Sequence, residues 1–169
     1  FKGHRYLVDA IAGVVKVNPR VVCVIVGDGE LMATLLEQSR ARSIESNLRF
    51  LGFQDNLHEL YPAFDIYCHS SLELEAEAFP LAILRALAAG LPVVATQVGG
   101  IGMMVKEGVS GYLTPPQHAA ALTDALLRVI NDCQLGQSMG KESFELFKMK
   151  FHAPVMAERV EQVYDNVLG

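Results

Sequence analysis

Short apolar runs alternate with stretches of helical periodicity along this chain, and that alternation constrains its fold more than any other feature. Residues 21–26 form a continuous run rich in β-branched side chains, which is typical of a strand covered on both faces of a parallel sheet. Gly27-Asp28-Gly29 then turns the chain into a predicted helix over residues 30–43. Further strands are predicted over residues 48–51, 65–68, 93–95 and 111–114. The pattern predicts an α/β fold with a doubly wound parallel sheet.

The predicted helices complete this pattern and then replace it. One helix precedes the first strand, at residues 4–17, and ends at Asn18-Pro19. Others are predicted over residues 57–61 and 80–89, with a short helical turn ending at residue 105. After residue 117 the pattern is wholly helical, with helices predicted over residues 119–130, 135–148 and 155–168.

Length and composition predict one globular domain over residues 1–169, since the 169-residue chain is 51% hydrophobic. A net charge of −5, without a basic cluster, argues against a nucleic-acid partner. The three cysteines favour a reducing compartment, so we expect a cytoplasmic protein. The five histidines lack metal-ligand spacing, so no metal is expected. Because Phe1 is not an initiator Met and helical periodicity follows almost at once, we expect a fragment of a longer chain.

Ligands of open parallel sheets bind beyond the carboxyl ends of the strands. Four segments should lie on that rim: Gly27-Asp28-Gly29, Gly52-Phe53, and residues 69–79 and 97–103. The glycines of the first segment would let backbone amides approach a phosphate, but a tight turn needs glycine equally for its conformation. Met32 replaces the third glycine of a dinucleotide fingerprint and no P-loop occurs, which disfavours a dehydrogenase or an NTPase.

The loop at residues 69–79, before the helix predicted over residues 80–89, carries three carboxylates. Glu73 and Glu75 are interpreted as solvated acids, whereas Glu77, shortly before Pro80 at the expected first helical position, is the strongest candidate for function. The helix that follows is apolar almost all round, so it should be buried with Arg85 alone pointing out. Eight residues, or ~11 Å of helix, would separate Glu77 from Arg85 and suit an elongated ligand. His69 is interpreted as an ordinary, partly buried histidine.

Taken in order, these residues resemble the C-terminal, nucleotide-sugar-binding domain of GT-B glycosyltransferases, in particular glycosyltransferase family 4 (group 1). The resemblance spans essentially the whole chain. It rests on Lys2-Gly3-His4, Val26-Gly27-Asp28-Gly29, Phe50-Leu51-Gly52, Ser70-Ser71, Glu77-Ala78-Phe79-Pro80-Leu81-Ala82-Ile83-Leu84, residues 88–96, Val98-Gly99-Gly100 and residues 108–113.

The resemblance implies a Rossmann-like half of a GT-B fold and transfer of a sugar from a nucleotide-diphosphate donor, with retained anomeric configuration and without a metal or cofactor. It implies that Lys2 holds the donor diphosphate and that Glu77 contacts the donor sugar as the catalytic carboxylate. It places donor-binding groups at Gly27, Asp28, Gly29, Leu51, Gly52, Ala78, Phe79, Pro80, Leu81, Arg85, Gly99 and Gly100.

Three positions depart from the family's pattern. Arg85 stands where the family has a second Glu, which grips both ribose hydroxyls, and a guanidinium has no acceptor for them. Arg85 would then pair with Glu73 or Glu75, or contact a phosphate. Ala78 replaces a glycine, and Gly102-Met103 replaces Pro-Glu.

The resemblance also implies that a first strand with a phosphate-binding Arg, and an N-terminal acceptor-binding domain, precede these residues. The isolated domain is therefore expected to be inactive, and any membrane association to come through that other domain. The main alternative is a non-catalytic binding or scaffold module with a degraded donor site. A nucleotide-sugar epimerase or phosphorylase-like enzyme on the same fold is disfavoured, because neither an acidic/His constellation nor a cofactor lysine is visible.

Overall fold

A computed structural model describes residues 2–72 and 77–168. Phe1, Glu73 and Glu75, and the predictions made for them, lie outside the described residues. The helices are α1 (His4–Val17), α2 (Met32–Ala41), α3 (Leu57–Leu60), α4 (Leu81–Ala88), α5 (Ile101–Met104), α6 (Ala119–Ile130), α7 (Cys133–Lys150) and α8 (Ala153–Leu168). The strands are β1 (Cys23–Val26), β2 (Leu48–Gly52), β3 (Tyr67–His69), β4 (Val93–Thr96) and β5 (Gly111–Thr114).

All strand pairs among the described residues are parallel, which confirms the predicted fold class. The hydrogen-bonded ladders form two sheets: β1 pairs with β2, and β4 lies between β3 and β5. The prediction of one continuous sheet therefore differs from the structure, because no ladder joins β1 to β3 in the described ranges. Since all pairs are parallel, the carboxyl ends within each sheet lie at one edge.

A shared core nevertheless links the two sheets. Ile25 of β1, Leu48 of β2 and Val94 of β4 belong to one buried cluster, into which α1 and α6 also project apolar side chains. A second cluster lies under α4 and includes Ile83, Leu87 and Ile101. The predicted covering of β1 on both faces is met only in part, because Ile25 is buried while Cys23, Val24 and Val26 are half-buried. Among the described residues β1 pairs along one edge only.

The helices α1 and α6 lie where the periodicity of the sequence predicted them, over the same residues. Buried positions of α1 recur at helical spacing along one face, which explains why that prediction is confirmed. The last helix, α8, packs on α7 and leaves the side chains of Val160, Val163 and Val167 exposed. No helix among the described residues has both the length and the apolar character needed to cross a bilayer.

Candidate active site

Glu77 is a buried acid whose carboxylate collects three polar side chains from distant parts of the chain. Its exposed fraction is 3%. The Lys2 Nζ atom donates to Oε1 of Glu77 at 2.5 Å, and the Ser71 hydroxyl donates to the same oxygen at 2.5 Å. The Nε2 atom of His69 lies 3.3 Å from that oxygen as well. All three contacts therefore converge on Oε1.

Lys2 is brought to this carboxylate by the backbone at the start of α1. Gly3 has a φ of 66°, and a Cβ at this position would overlap the carbonyl oxygen of Ser70. Glycine is thus required for both its conformation and its close approach. The Ser70 hydroxyl also donates to the Lys2 carbonyl oxygen at 2.9 Å. Lys2 and Gly3 are consequently fixed to the segment that follows β3.

The loop after β4 holds the backbone of Glu77 from the other side. The Gly100 amide donates to the Glu77 carbonyl oxygen at 2.8 Å. A Cβ on Gly99 would overlap that same carbonyl, and a Cβ on Gly100 would overlap the carbonyl of Ala78. These two glycines, predicted to bind the donor, therefore have a structural reason for being glycine: they let two loops pack backbone against backbone.

The electrostatics of the site favour a charged Glu77 and a neutral His69. Burial alone would raise the pKa of the Glu77 carboxyl group, but hydrogen bonds from Lys2 and Ser71, with the positive charge of Lys2, outweigh it and lower that pKa. Burial lowers the pKa of His69, although the neighbouring carboxylate of Glu77 acts in the opposite direction. The site therefore presents a fixed anion beside the half-exposed ammonium of Lys2.

A second group of predicted residues gathers at the ends of β1 and β2. The Gly27 amide donates to the Gly52 carbonyl oxygen at 2.7 Å, and both glycines have positive φ values, of 119° and 66°. Asp28 is exposed, and one of its carboxylate oxygens would lie 3.2 Å from a Cβ at Gly52. Gly29 and Leu51 are exposed alongside them.

This second group is separate from Glu77 in its hydrogen bonding. Within the described part of the chain, Glu77 makes no hydrogen bond to Gly27, Asp28 or Gly29. The positive φ values account for Gly27 and Gly52 without a ligand. Apart from its chain neighbours, no atom of the described residues lies within 4 Å of a Cβ placed at Gly27. The structure thus leaves open space at this turn.

The predicted spacing between Glu77 and Arg85 is wrong. Glu77 does not lie on a helix, because α4 begins only at Leu81 and Pro80 is the residue before it rather than its first residue. The ~11 Å estimate, which assumed two turns of one helix, therefore has no basis. Arg85 is exposed, as predicted, and has no salt-bridge partner among the described residues.

The helix α4 is less completely buried than predicted. Its buried face consists of Ile83, Ala86 and Leu87, whereas Leu81 is 60% exposed. Phe79 is also partly exposed and makes an edge contact with Phe151, with 5.6 Å between ring centroids. An apolar surface thus remains open directly after Glu77.

The amino-terminal end of α4 offers backbone donors beside that surface. Ile83 and Leu84 donate their amides to the Pro80 carbonyl oxygen, but the amides of Leu81 and Ala82 donate to no backbone acceptor in the described part of the chain. Such free amides, together with the helix dipole, favour an anion.

Three side chains of this site, those of Tyr67, Ser71 and Thr96, were not predicted from the sequence to be functional. Tyr67 and Ser71 both hydrogen-bond to His69, and Thr96 donates to the Ser71 carbonyl oxygen at 2.6 Å. His69 itself was interpreted as an ordinary histidine, yet it lies 3.3 Å from Glu77. The available signal was the polar run His69-Ser70-Ser71 at the end of a predicted strand, where side chains face the binding rim.

A metal centre has no support in the described ranges. No group of three or more His, Cys, Asp or Glu side chains there is arranged to hold an ion. The cation at Glu77 is instead the ammonium of Lys2.

Comparison with known proteins places this geometry in context. Residues 1–145 match the sequence model of the family described as "Glycosyl transferases group 1". The chain is 32% identical over 170 residues to N-acetyl-alpha-D-glucosaminyl L-malate synthase of Bacillus anthracis, covering 99% of this chain and 44% of that protein. It is 29% identical over 168 residues to phosphatidyl-myo-inositol mannosyltransferase of Mycobacterium leprae, covering 98% of this chain and 43% of the relative. The chain thus spans less than half the length of these curated relatives.

Solved structures show the same fold. Anabaena Alr3699/HepE in complex with UDP superimposes with a TM-score of 0.90 at 27% identity, covering 98% of this chain and 45% of that one. The same protein in complex with UDP-glucose gives a TM-score of 0.87 at 28% identity, with the same coverage. The C-terminal domain of a group 1 glycosyltransferase, LpcC of Francisella tularensis, gives a TM-score of 0.81 at 23% identity, covering 90% of this chain and 80% of that one.

Proposed function

Since the chain belongs to the group 1 glycosyltransferases, we propose that it is the donor-binding domain of an enzyme that transfers a sugar from a nucleotide-diphosphate donor with retention of configuration. The observation that carries the proposal is the buried Glu77 carboxylate held against Lys2. The amides of Leu81 and Ala82, which donate to no backbone acceptor in the described ranges, follow Glu77 by four and five residues. A fixed anion next to a cation and an amide-rich turn suits a sugar joined to two phosphates.

The roles proposed for Lys2 and α4 follow from the charge that develops during transfer. When the bond from the anomeric carbon to the phosphate oxygen breaks, the departing diphosphate keeps the electron pair. The half-exposed ammonium of Lys2 and the amides of Leu81 and Ala82 would stabilise that growing charge. Stabilising the transition state, in which this charge develops, more than the bound donor accelerates the reaction.

Glu77 is proposed to bind the sugar. Lys2, Ser71 and His69 all occupy Oε1, so Oε2 is the oxygen proposed to accept from a sugar hydroxyl. An ionised carboxylate can only accept, and its low pKa keeps it ionised near neutral pH. Burial strengthens such a hydrogen bond because water competes less.

We further propose that the acceptor is bound by a second domain. The curated relatives are more than twice as long as this chain. Exposed apolar side chains lie in the last residues of β2 or after β2, β3 and β4: Leu51, Phe53, Phe79, Leu81 and Met103. Without a domain to close over this surface and exclude water, the isolated chain should bind donor weakly and transfer no sugar.

Binding of a donor panel tests the proposal. Saturation-transfer NMR with UDP-, GDP- and ADP-sugars should detect binding of at least one nucleotide sugar. UDP-glucose is the first probe, because one structural neighbour, Anabaena Alr3699/HepE, was solved in complex with UDP and with UDP-glucose. A version that includes the flanking sequence should then transfer the sugar. Absence of binding by both versions to every member of the panel would contradict the proposal.

A second candidate function is a non-catalytic module, and Arg85 is the observation that favours it. This exposed guanidinium lacks an ion-pair partner in the described ranges and stands where the resemblance implies a Glu. The substitution Arg85→Glu separates the candidates. A tenfold or greater gain in nucleotide affinity would indicate a degraded site, whereas a loss would show that Arg85 itself contributes to binding.

A further inference from the structure

A series of hydrogen bonds, here called the relay, runs from Tyr67 of β3 through His69 and Ser71 to the carboxylate of Glu77. The Tyr67 hydroxyl lies 3.0 Å from Nδ1 of His69. On the other side of the ring, Nε2 of His69 lies 3.0 Å from the Ser71 hydroxyl, which donates to Glu77 at 2.5 Å. His69, Ser71 and Glu77 are all buried, with exposed fractions of 6%, 1% and 3%.

The chemistry of these groups fixes the direction in which each hydrogen bond of the relay is donated. A carboxylate only accepts, so the single hydroxyl proton of Ser71 goes to Glu77. The Ser71 oxygen can then only accept from His69, which must carry a proton on Nε2. In a neutral ring the other nitrogen, Nδ1, is an acceptor, so the Tyr67 hydroxyl donates to it. Every step therefore points toward Glu77.

Hydrogen bonds also hold the backbone of the relay residues. Thr96 of β4 donates to the carbonyl oxygen of Ser71 at 2.6 Å, and β3 pairs with β4 through His69 and Ala95. The Glu77 backbone in turn accepts from the Gly100 amide. The relay is thus built between two fixed strands and one clamped loop, which is the arrangement that a positioned carboxylate requires.

We propose that His69 and Ser71 are positioning residues, which saturate Oε1 of Glu77 and thereby fix Oε2 toward the sugar of the donor. This inference rests on the proposed function. Without the relay the carboxylate could rotate about its last bond, and the sugar would lose a preset acceptor while the nucleotide kept its own contacts. The relay should therefore affect recognition of the sugar and leave recognition of the nucleotide unchanged.

The direction of the relay is tested without any ligand. Long-range 1H–15N NMR spectra at pH 7 distinguish the two neutral tautomers of histidine, and the signal absent from His69→Asn identifies this ring. The matched control is His58→Asn, because the His58 side chain is 78% exposed. The proposal expects a neutral ring protonated on Nε2, with the Nδ1 signal shifting in Tyr67→Phe. A ring protonated on Nδ1, or a charged ring at pH 7, would overturn it.

The positioning role is tested by comparing two ligands. Calorimetry should measure the affinities for UDP and UDP-glucose, or for the corresponding pair if the donor panel identifies another base, in the wild-type chain, Ser71→Ala and Ser71→Thr. Ser71→Ala should lower the affinity for the nucleotide sugar ~10-fold, the size expected for a lost hydrogen bond to a charged group, and change that for the nucleotide less than twofold. Ser71→Thr, which keeps the hydroxyl, should restore most of the loss.

The outcomes separate this inference from the function beneath it. An equal loss for both ligands, or no loss for either, would overturn the positioning role while the donor-binding function stands. If the wild-type chain binds no nucleotide or nucleotide sugar, both proposals fail. Tyr67→Phe, which keeps the ring of this partly buried tyrosine, gives a second variant with a smaller expected loss of the same kind should Ser71→Ala unfold.

Discussion

The ammonium of Lys2 lies 2.5 Å from Oε1 of Glu77, although the two residues are 75 positions apart. The contact joins the segment before α1 to the loop before α4. Only the folded chain brings these charges together, because chain entropy disfavours closing so long a loop. The Lys2–Glu77 pair is consequently part of the candidate site and should also contribute to the free energy of unfolding.

The coupling between these two residues should be measurable as stability. We expect Lys2→Ala and Glu77→Gln each to lower the free energy of unfolding, and the double variant to lose less than the sum of both. The coupling should be about 1–2 kcal/mol, below that of a fully buried pair because Lys2 is half-exposed. Urea unfolding of the four proteins gives this value. Lys16→Ala, at the end of α1, is the matched control, and strict additivity would contradict the pairing.

Substitution at Gly100 should disrupt the loop that holds Glu77. A Cβ there would overlap the Ala78 carbonyl, whereas a Cβ at Gly102 would meet no atom within 4 Å among the described residues outside its own helical turn. We therefore expect Gly100→Ala to lower the unfolding free energy by about 1–3 kcal/mol. Gly102→Ala should leave it unchanged or raise it, since alanine favours helix and Gly102 lies in α5. Thermal unfolding of both variants tests this, and equal effects would contradict the described backbone contact.

Acidification should remove the stability that Glu77 contributes. The folded state lowers the pKa of this carboxyl below its ordinary value of 4.5. The contribution is therefore complete above pH 4.5 and is lost as the pH falls through the folded pKa, because the unfolded chain takes up the proton first. The stability difference between wild type and Glu77→Gln, from urea unfolding at pH 7, 5 and 4, should narrow at the lowest pH. A difference that widened there would contradict the assignment.

His69 should act in a higher pH range. Its pKa is below the ordinary value of 6.5 in the folded state, so below pH 6.5 the unfolded chain binds a proton that the folded chain refuses, and stability falls. His69→Asn should flatten the pH dependence of stability between pH 6.5 and 5, whereas His58→Asn should not. Urea unfolding across that range is the measurement, and parallel curves for all three proteins would contradict a buried neutral His69.

The cysteines should differ sharply in reactivity. Burial raises the pKa of Cys23 to about 12 and raises that of Cys68 as well, whereas Cys133 is exposed. Since the thiolate is the nucleophile, a disulfide reagent at pH 8 should label one thiol per folded chain quickly and all three after unfolding. Cys133→Ser should remove the fast reaction. Fast labelling of a second thiol in the native protein would contradict the described packing of β1 and β3.

Local signals were sufficient for much of the fold. The bounds of β5 and α6 follow from a glycine-led apolar run and from helical periodicity, and neither depends on distant residues. The start of β1 was predicted two residues too early, and the division into two ladders was not predicted. Strand pairing is a long-range property, so a β-branched run alone does not show which neighbour it will find.

The candidate site was predictable only in part, for the same reason. Glu77 could be singled out because carboxylates in an otherwise apolar neighbourhood shortly before Pro80 are unusual, and the family resemblance adds to that signal. The roles of Tyr67, His69 and Ser71 depend on side chains meeting across a strand end and a loop, which residue spacing does not specify. The predicted helical distance between Glu77 and Arg85 was wrong because α4 begins only at Leu81, after Pro80, so Glu77 lies in the irregular segment before the helix.

Mapping of donor binding by two-dimensional 15N NMR tests the central claim most directly. On titration with UDP-glucose, or with the donor that the panel identifies, we predict that the largest amide shifts occur at Lys2, Glu77, Leu81 and Gly100. Glu77→Gln should lower the affinity while leaving the rest of the spectrum intact. Saturable binding with its largest shifts at residues remote from the Lys2 and Glu77 pair, and an unchanged affinity in Glu77→Gln, would contradict the account.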